Sequence, residues 1–133
     1  MPVFEVTARL KVRDGQLGGF KRQAAQIMKA TRELDTKTVR YDWFLSEDGT
    51  ECEVRETYAD ADALVEHGRH IAEARNVLFR DFAFDHTVVF YGKPSPALAE
   101  ALEAMPPGAV TLKQFSLFQA LEADVEVAEE VPA

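Results

Sequence analysis

Residues 39–58 read VRYDWFLSEDGTECEVRETY, and this stretch decides the fold. Two strand-like segments, Val39 to Ser46 and Cys52 to Tyr58, flank the turn sequence Glu47-Asp48-Gly49-Thr50. Asp-Gly is the preferred pair for a two-residue type I′ turn, so the stretch predicts a β-hairpin. That turn also sets the register of the two strands. The facing pairs are then Glu47 with Thr50, Leu45 with Cys52, Trp43 with Val54, Tyr41 with Glu56, and Val39 with Tyr58.

One face of this hairpin is apolar and aromatic and contains a single carboxylate. Because side chains alternate between the two faces of a strand, that face combines Val39, Tyr41, Trp43, Leu45, Cys52, Val54, Glu56 and Tyr58. The opposite face pairs Asp42 with Arg55. A carboxylate among aromatic groups is costly unless it is protonated or hydrogen-bonded, and burial raises its pKa. Glu56 is therefore a candidate catalytic group, although it can equally bond a tyrosine, an arginine or a backbone amide and only hold the sheet.

The segments around the hairpin complete a β-α-β-β-α-β order. Residues 4–13 alternate apolar and polar side chains, as a half-buried strand does. A helical pattern begins with Leu17, a second helix runs from about Ala61 to Leu78, and a fourth strand covers Phe82 to Tyr91. This order predicts an α+β fold with a ferredoxin-like core.

A short helix and a strand follow that core. Gly92-Lys93-Pro94 is a break, and Ser95-Pro96 is typical of an N-cap and the first helical position. Val110 to Phe118 is the last predicted strand, which pairs with an edge of its own sheet or with a partner chain. We expect one domain over residues 1–118 and an acidic, flexible tail over residues 119–133.

Composition limits the classes of function. The chain has 133 residues and a net charge of −8, and five acidic residues lie among its last twelve positions. Without them 18 acidic residues face 15 basic ones, so a nucleic-acid partner is not expected. No apolar run approaches the roughly 20 residues of a membrane span. The single cysteine, Cys52, excludes an internal disulfide and a thiolate metal cluster. A cytoplasmic location is the default expectation.

The histidines are candidate acid–base groups. His67 lies three residues after Leu64 and four before Ile71, on the buried stripe of the second helix. An imidazole there can act as a base near neutral pH, or it can be a hydrogen-bonded core residue. His70 is expected at the surface. His86 shares a strand face with Phe82, Phe84, Val88 and Phe90 and lines either a cavity or a subunit contact. Their spacing predicts no metal site.

Three motifs resemble the antibiotic biosynthesis monooxygenase superfamily. They are residues 41–50 (YDWFLSEDGT), residues 55–60 (RETYAD) and residues 63–67 (ALVEH). The match extends over roughly residues 4–92, and the Glu-x-Tyr-x-Asp stretch with a histidine seven positions beyond the aspartate is its most specific part. The resemblance implies a homodimeric α+β barrel with a pocket between sheet and helices in each subunit.

The resemblance also implies an activity. Characterised members oxidise quinols or polycyclic phenols with dioxygen and without a bound metal or flavin, whereas others isomerise phosphorylated sugars or degrade haem. A cofactor-independent monooxygenase acting on a small aromatic substrate is the first hypothesis. His67 would then be the base, or the donor that steadies the resulting phenolate. Glu56 would orient His67 or a tyrosine, and Tyr41, Trp43, Tyr58 and His86 would contact the substrate.

Two alternatives stay open. An isomerase or another small-molecule enzyme on the same scaffold would need cationic side chains in the pocket if its substrate were anionic. Arg9, Arg40 and Arg55 are predicted on the opposite face of the sheet, which does not favour it. In a non-catalytic binding or assembly protein, His67 and Glu56 would pair within a filled core.

Overall fold

The computed structural model describes residues 3–121, so the predicted tail lies outside the described residues from position 122 onward. The strands and helices alternate along the chain in the predicted order. They are β1 (Phe4–Val12), α1 (Leu17–Leu34), β2 (Thr38–Leu45), β3 (Glu51–Tyr58), α2 (Ala61–Asp81), β4 (Ala83–Tyr91), α3 (Pro96–Glu103) and β5 (Thr111–Phe115). The strands form one five-stranded sheet in the order β2-β3-β1-β4-β5. The α+β class and the ferredoxin-like core are thereby confirmed.

The β2–β3 hairpin has the predicted register over most of its length. Leu45 pairs with Cys52, Trp43 with Val54, and Tyr41 with Glu56. The register shifts between Thr38 and Arg40, so Tyr58 pairs with Thr38 and not with Val39. This bulge leaves Val39 65% exposed, where the alternation had placed it on the apolar face.

The turn of this hairpin differs from the predicted type I′ turn. The amide of Gly49 donates to the carbonyl of Ser46, and only Gly49 of the Asp48-Gly49 pair has a positive φ, of 73°. A type I′ turn requires positive φ at both central residues. Here the Asp48 side chain accepts hydrogen bonds from Ser46 Oγ and from the amide and hydroxyl of Thr50. The resulting four-residue loop closes on the same register as the predicted turn.

A second bulge, in β4, changes which side chains share a strand face with His86. Thr87 pairs with Arg9 but Phe84 pairs with Lys11, so Asp85 and His86 together lie opposite Leu10. Asp85 takes the left-handed conformation, with φ 58°. Phe84 is therefore turned to the outer face and is 43% exposed, whereas His86 stays on the inner face with Val88.

Of the three helices in the described residues, α2 and α3 begin at a side-chain cap, whereas α1 begins without one. The Asp60 carboxylate accepts from the amide of Ala63 at 2.9 Å, and the Ser95 hydroxyl accepts from the amide of Leu98 at 3.2 Å. In α1, Gly19 lies directly against the ring of Phe82, where a Cβ would come within 2.2 Å of a ring carbon. A glycine is therefore required at that helix position.

The C-terminal strand pairs within its own chain. β5 lies parallel to β4, with Thr111 beside Thr87 and Phe115 beside Tyr91. It thus takes the first of the two predicted positions, at the edge of the sheet next to β4. None of the helices between residues 3 and 121 is both long and apolar enough to cross a membrane.

Candidate functional site

A cavity of about 380 Å³ lies between the inner face of the sheet and α2. Its floor is formed by β1, β3 and β4. One side is closed by Leu98 and Leu102 of α3, by Met105 just after that helix, and by Leu112 of β5. The volume is within the usual range for small-molecule sites, and the lining is mostly apolar. The helix and strand after the ferredoxin-like core therefore shape this cavity. The non-catalytic hypothesis predicts solid packing in this region. The structure has a cavity there.

His67 lies on the cavity wall formed by α2. It is 2% exposed, as its position on the apolar stripe predicts. Its ring packs against those of Tyr41 and Tyr58, at centroid separations of 4.6 and 5.6 Å. Its Nδ1 lies 2.7 Å from Oδ2 of Asp35. Burial lowers the pKa of His67 below its ordinary value, although the Asp35 carboxylate opposes that shift.

Asp35 is the partner of His67 that the sequence did not reveal. It follows the last residue of α1, where its backbone amide donates to the carbonyl of Thr31 at 3.1 Å. Its side chain is 2% exposed. Burial alone would raise the pKa of this carboxyl, but hydrogen bonds from Thr38, His70 and His67 hold it below its ordinary value.

These bonds fix the tautomer of His67. An ionised Asp35 can only accept hydrogen bonds, so Nδ1 of His67 carries the proton and donates it. Nε2 of the neutral ring then has a free lone pair, and no described group bonds to it. A carboxylate that holds an imidazole in this way is the arrangement by which a histidine becomes a general base.

Of the two partners that the sequence predicted for Glu56, His67 or a tyrosine, the structure has the tyrosine. The Glu56 carboxyl group accepts a hydrogen bond from the hydroxyl of Tyr58. Burial raises the pKa of Glu56 to about 7, and the Tyr58 bond only partly opposes this. Glu56 lines the cavity but Tyr58 does not, because Tyr58 is 0% exposed and packs in the core below it. The assignment of Tyr58 as a substrate contact is therefore corrected to that of a support for Glu56.

Tyr41 and Trp43 lie side by side on β2 and line the cavity. Burial, together with the Glu56 charge, raises the pKa of Tyr41 well above its ordinary value, so its hydroxyl stays protonated. The indole Nε1 of Trp43 is buried and has no hydrogen-bond partner of good geometry among residues 3–121. The Trp43 side chain, close to the Tyr41 hydroxyl, opposes the rise in the pKa of that tyrosine. Both side chains can donate to a ligand.

His86 also lines the cavity, where it stacks on Phe79 at a centroid separation of 4.5 Å. Burial lowers the pKa of His86 to about 4, and the charge of Arg75 adds to this shift. The imidazole is thus neutral near neutral pH. Arg75 and Arg69, both on α2, line the same cavity, whereas Arg9, Arg40 and Arg55 lie on the outer face, as predicted.

The sequence carried a signal for Arg75 but hardly any for Asp35. Arg75 lies four residues after Ile71 and three before Leu78, which puts it on the same helical stripe as His67. Asp35 reads as an ordinary turn residue, and it is 32 positions from His67 in the chain.

His70 is not the free surface residue that its position predicted. Its Nδ1 lies 2.7 Å from Oδ1 of Asp35, and its side chain is 25% exposed. Asp35, Glu66 and His70 each place one potential ligand atom within 4.8 Å of the other two, a spacing that could hold a cation. Glu66, however, bonds the amide and hydroxyl of Thr36. These contacts describe a hydrogen-bonded clamp between α2 and the segment after α1.

Comparison with known proteins identifies the fold. No protein-family model and no curated protein sequence matches the chain. Among solved structures, MupZ from Pseudomonas fluorescens is similar with a TM-score of 0.72 and 22% identity, over 96% of this chain and 100% of MupZ. A protein from Caulobacter crescentus assigned to the antibiotic biosynthesis monooxygenases gives a TM-score of 0.62 and 20% identity, over 70% of this chain and 91% of that protein. Another protein so assigned, from Nitrosomonas europaea, gives a TM-score of 0.60 and 19% identity, over 71% of this chain and 92% of that protein.

These shares separate the core from its C-terminal addition. The shorter structures cover about 70% of the chain, which is close to the share that the part from β1 to the end of β4 makes up. The similarity to MupZ covers 96% of the chain and so includes α3 and β5. The chain therefore has the fold of the antibiotic biosynthesis monooxygenases, enlarged by a C-terminal helix and strand.

Proposed function

We propose that this protein is an enzyme that acts on a small, mostly apolar aromatic molecule and uses His67 as its general base. The observation that carries the proposal is the bond of 2.7 Å from His67 to the buried Asp35, beside a mostly apolar cavity. Nε2 would accept a proton from a phenolic hydroxyl group, and Asp35 would stabilise the imidazolium that forms. The base is then part of the site from which Tyr41 and Trp43 contact the ring.

The reaction that we propose first is a cofactor-independent monooxygenation. A deprotonated phenol or quinol is electron-rich enough to reduce dioxygen. One oxygen atom is added to a ring carbon, the ring loses two hydrogens and is oxidised to a quinone, and those hydrogens leave with the other oxygen atom as water. The fold shared with antibiotic biosynthesis monooxygenases supports this choice. The apolar lining would also keep water from the reactive intermediate.

Oxygen uptake with 1-naphthol and 1,4-naphthohydroquinone tests this reaction. We expect uptake above the uncatalysed rate, and a decrease of about 10² to 10⁴ in the variant His67→Gln. His70→Gln is the matched control, because His70 bonds the other oxygen of Asp35 but does not line the cavity. Equal rates in the wild type and His67→Gln would exclude His67 as the base.

A second candidate is a proton-transfer reaction without dioxygen, such as an isomerisation. The raised pKa of Glu56, about 7, favours it, since a protonated carboxyl group and a neutral imidazole then line the same cavity. Such an enzyme should exchange hydrogen of 2-tetralone with deuterium oxide under nitrogen. Its rate should also fall above about pH 7 as Glu56 ionises, whereas a reaction that needs only His67 should reach a plateau there.

We also propose that the chain forms a homodimer through the outer face of the sheet. Four exposed aromatic residues on that face support this assembly: Phe44, Phe84, Tyr91 and Phe115. Light scattering coupled to size-exclusion chromatography should give twice the mass of the chain. Replacement of Phe44 by aspartate should shift the mass toward that of the monomer, and a monomeric wild type would contradict the proposal.

A further inference from the structure

Arg75 places a guanidinium group beside His67. It is half-buried in the cavity wall, on the stripe that also contains Ile71 and Leu78. Helical side chains lean toward the N-terminus of their helix. In agreement, Nη1 of Arg75 lies 3.9 Å from the point that a Cβ on Gly68 would occupy. The charge therefore lies next to the turn that carries His67, and it lowers the pKa of both His67 and His86.

This guanidinium has no partner among residues 3–121. Arg9, Arg40, Arg55 and Arg80 each lie within 4.0 Å of a carboxylate oxygen, whereas Arg75 has neither such a contact nor a hydrogen bond to a described group. Burial lowers the pKa of Arg75, and only Tyr41 opposes that shift. Since the hydroxyl of Tyr41 stays protonated, it does not neutralise the charge. A partly desolvated cation without a counter-ion favours an anionic ligand.

The other titratable groups that line the cavity leave it cationic, because the ionised Asp35 lies behind His67 and is not part of the lining. His67 and His86 are neutral near neutral pH, and Glu56, with a pKa of about 7, is largely protonated in slightly acidic solution. The cavity thus holds a positive charge in a chain whose net charge is −8. Arg69 also lines the cavity but is exposed to solvent, so it adds a second positive charge at the cavity entrance.

We propose that the substrate carries a carboxylate that binds to Arg75. A guanidinium matches a carboxylate through two parallel hydrogen bonds, which fixes orientation as well as position. One half-buried guanidinium in an apolar cavity, with a second only on the exposed Arg69, fits a monoanion better than a phosphate dianion, which would need more donors. The inference rests on the proposed function for the role of the site, and it narrows the substrate class to aromatic carboxylic acids.

Isothermal titration calorimetry with 2-naphthoate and its neutral isostere 2-naphthamide tests this at about pH 6, where the carboxylate is ionised. We expect the wild type to bind the carboxylate about 10-fold more tightly or better, as for one charge-assisted pair. Arg75→Met, which keeps the apolar stem, should lose the preference, and Arg75→Lys should retain part of it. Arg69→Met is the matched control on the same helix and should keep the preference. A thermal melt checks that each variant is folded.

The outcomes separate this inference from the proposed function. His67→Gln should retain the preference for the carboxylate, because binding needs no proton transfer. Loss of turnover in that variant together with an intact preference supports both proposals, and intact turnover with an intact preference contradicts only the base. A wild type that binds neither ligand or does not prefer the carboxylate overturns the inference, as does an unchanged preference in Arg75→Met.

Discussion

Asp35 and Glu56 are two carboxyl groups shielded from solvent near His67, and their surroundings shift their pKa values in opposite directions. The Asp35 side chain is 2% exposed, and Glu56 as a whole residue is 8% exposed. Asp35 accepts hydrogen bonds from Thr38, His67 and His70, whereas Glu56 accepts one, from Tyr58. The pKa of Asp35 is accordingly lowered and that of Glu56 raised to about 7.

The difference teaches that depth of burial and the number of donors together set the pKa of each carboxyl group, since Glu56 lies deeper in the fold and accepts fewer hydrogen bonds. An ionised Asp35 can hold His67 as a base. A protonated Glu56 can serve as an acid or simply as a neutral part of the lining. The predictions below remove the donors and acceptors of this pair in turn.

Asp35→Asn should have the largest effect. The amide cannot stabilise an imidazolium, so we expect turnover to fall by about 10² to 10⁴. Breaking a buried charged network should also lower the free energy of unfolding by about 3 kcal/mol. Steady-state kinetics and urea unfolding measure the two effects. Glu66→Gln, in the same clamp but without contact to His67, is the control, and unchanged turnover in Asp35→Asn would contradict the assigned role.

Glu56 should make stability depend on pH. The pKa of Glu56 is raised in the folded state. The stability that its protonated carboxyl group contributes is therefore complete below the pKa of the unfolded chain, about 4.5, and is lost as the pH rises through about 7. The shift corresponds to about 3 kcal/mol. The stability of Glu56→Gln relative to wild type should therefore improve by up to that amount between about pH 4.5 and 8. Urea unfolding of both proteins across this pH range measures the change. A stability difference that stays constant with pH would show that ionisation of Glu56 does not destabilise the fold.

Tyr58→Phe removes the donor to Glu56. The bond favours the ionised carboxylate, so its loss should raise the pKa of Glu56 further. We expect a loss of about 1 kcal/mol in the free energy of unfolding. Carbon-13 NMR of the glutamate carboxyl groups follows the titration. Tyr41→Phe removes a hydroxyl that bonds neither carboxyl group and should shift Glu56 much less.

Thr38→Val should have the smallest effect. It removes one of three donors to Asp35, at 2.6 Å, so the pKa of Asp35 should rise while His67 and His70 still bind it. The expected loss of stability is about 1 kcal/mol. Thr36→Val, which removes a donor to Glu66 instead, should leave the titration of Asp35 in place. Equal Asp35 pKa values in both variants would show that Thr38 does not help to lower the pKa of Asp35.

Local patterns predicted the fold and much of the cavity lining. The alternation of residues 39–58 gave Glu56 its face, and the helical spacing of Leu64, His67 and Ile71 placed His67 on the buried side of α2. Both signals are periodic and extend over neighbouring residues, so no tertiary information was needed. The same holds for the cap at Ser95.

The remaining features depend on contacts between distant segments. Asp35 meets His67 only because the end of α1 packs on α2. The bulge at Asp85 keeps His86 on the inner face and turns Phe84 outward, and no residue pattern announced it. The identity of the donor to Glu56, Tyr58 and not an arginine, likewise followed from side-chain packing.

Nitrogen-15 NMR of the His67 ring tests the central claim most directly, because it reports the protonation of both ring nitrogens. We predict a neutral ring at neutral pH, with the proton on Nδ1, a lone pair on Nε2, and a pKa below the ordinary histidine value. Asp35→Asn should disturb this tautomer, and His70→Gln should preserve it. An imidazolium at neutral pH, or a proton on Nε2 with Nδ1 bare, would contradict the assignment of His67 as the base.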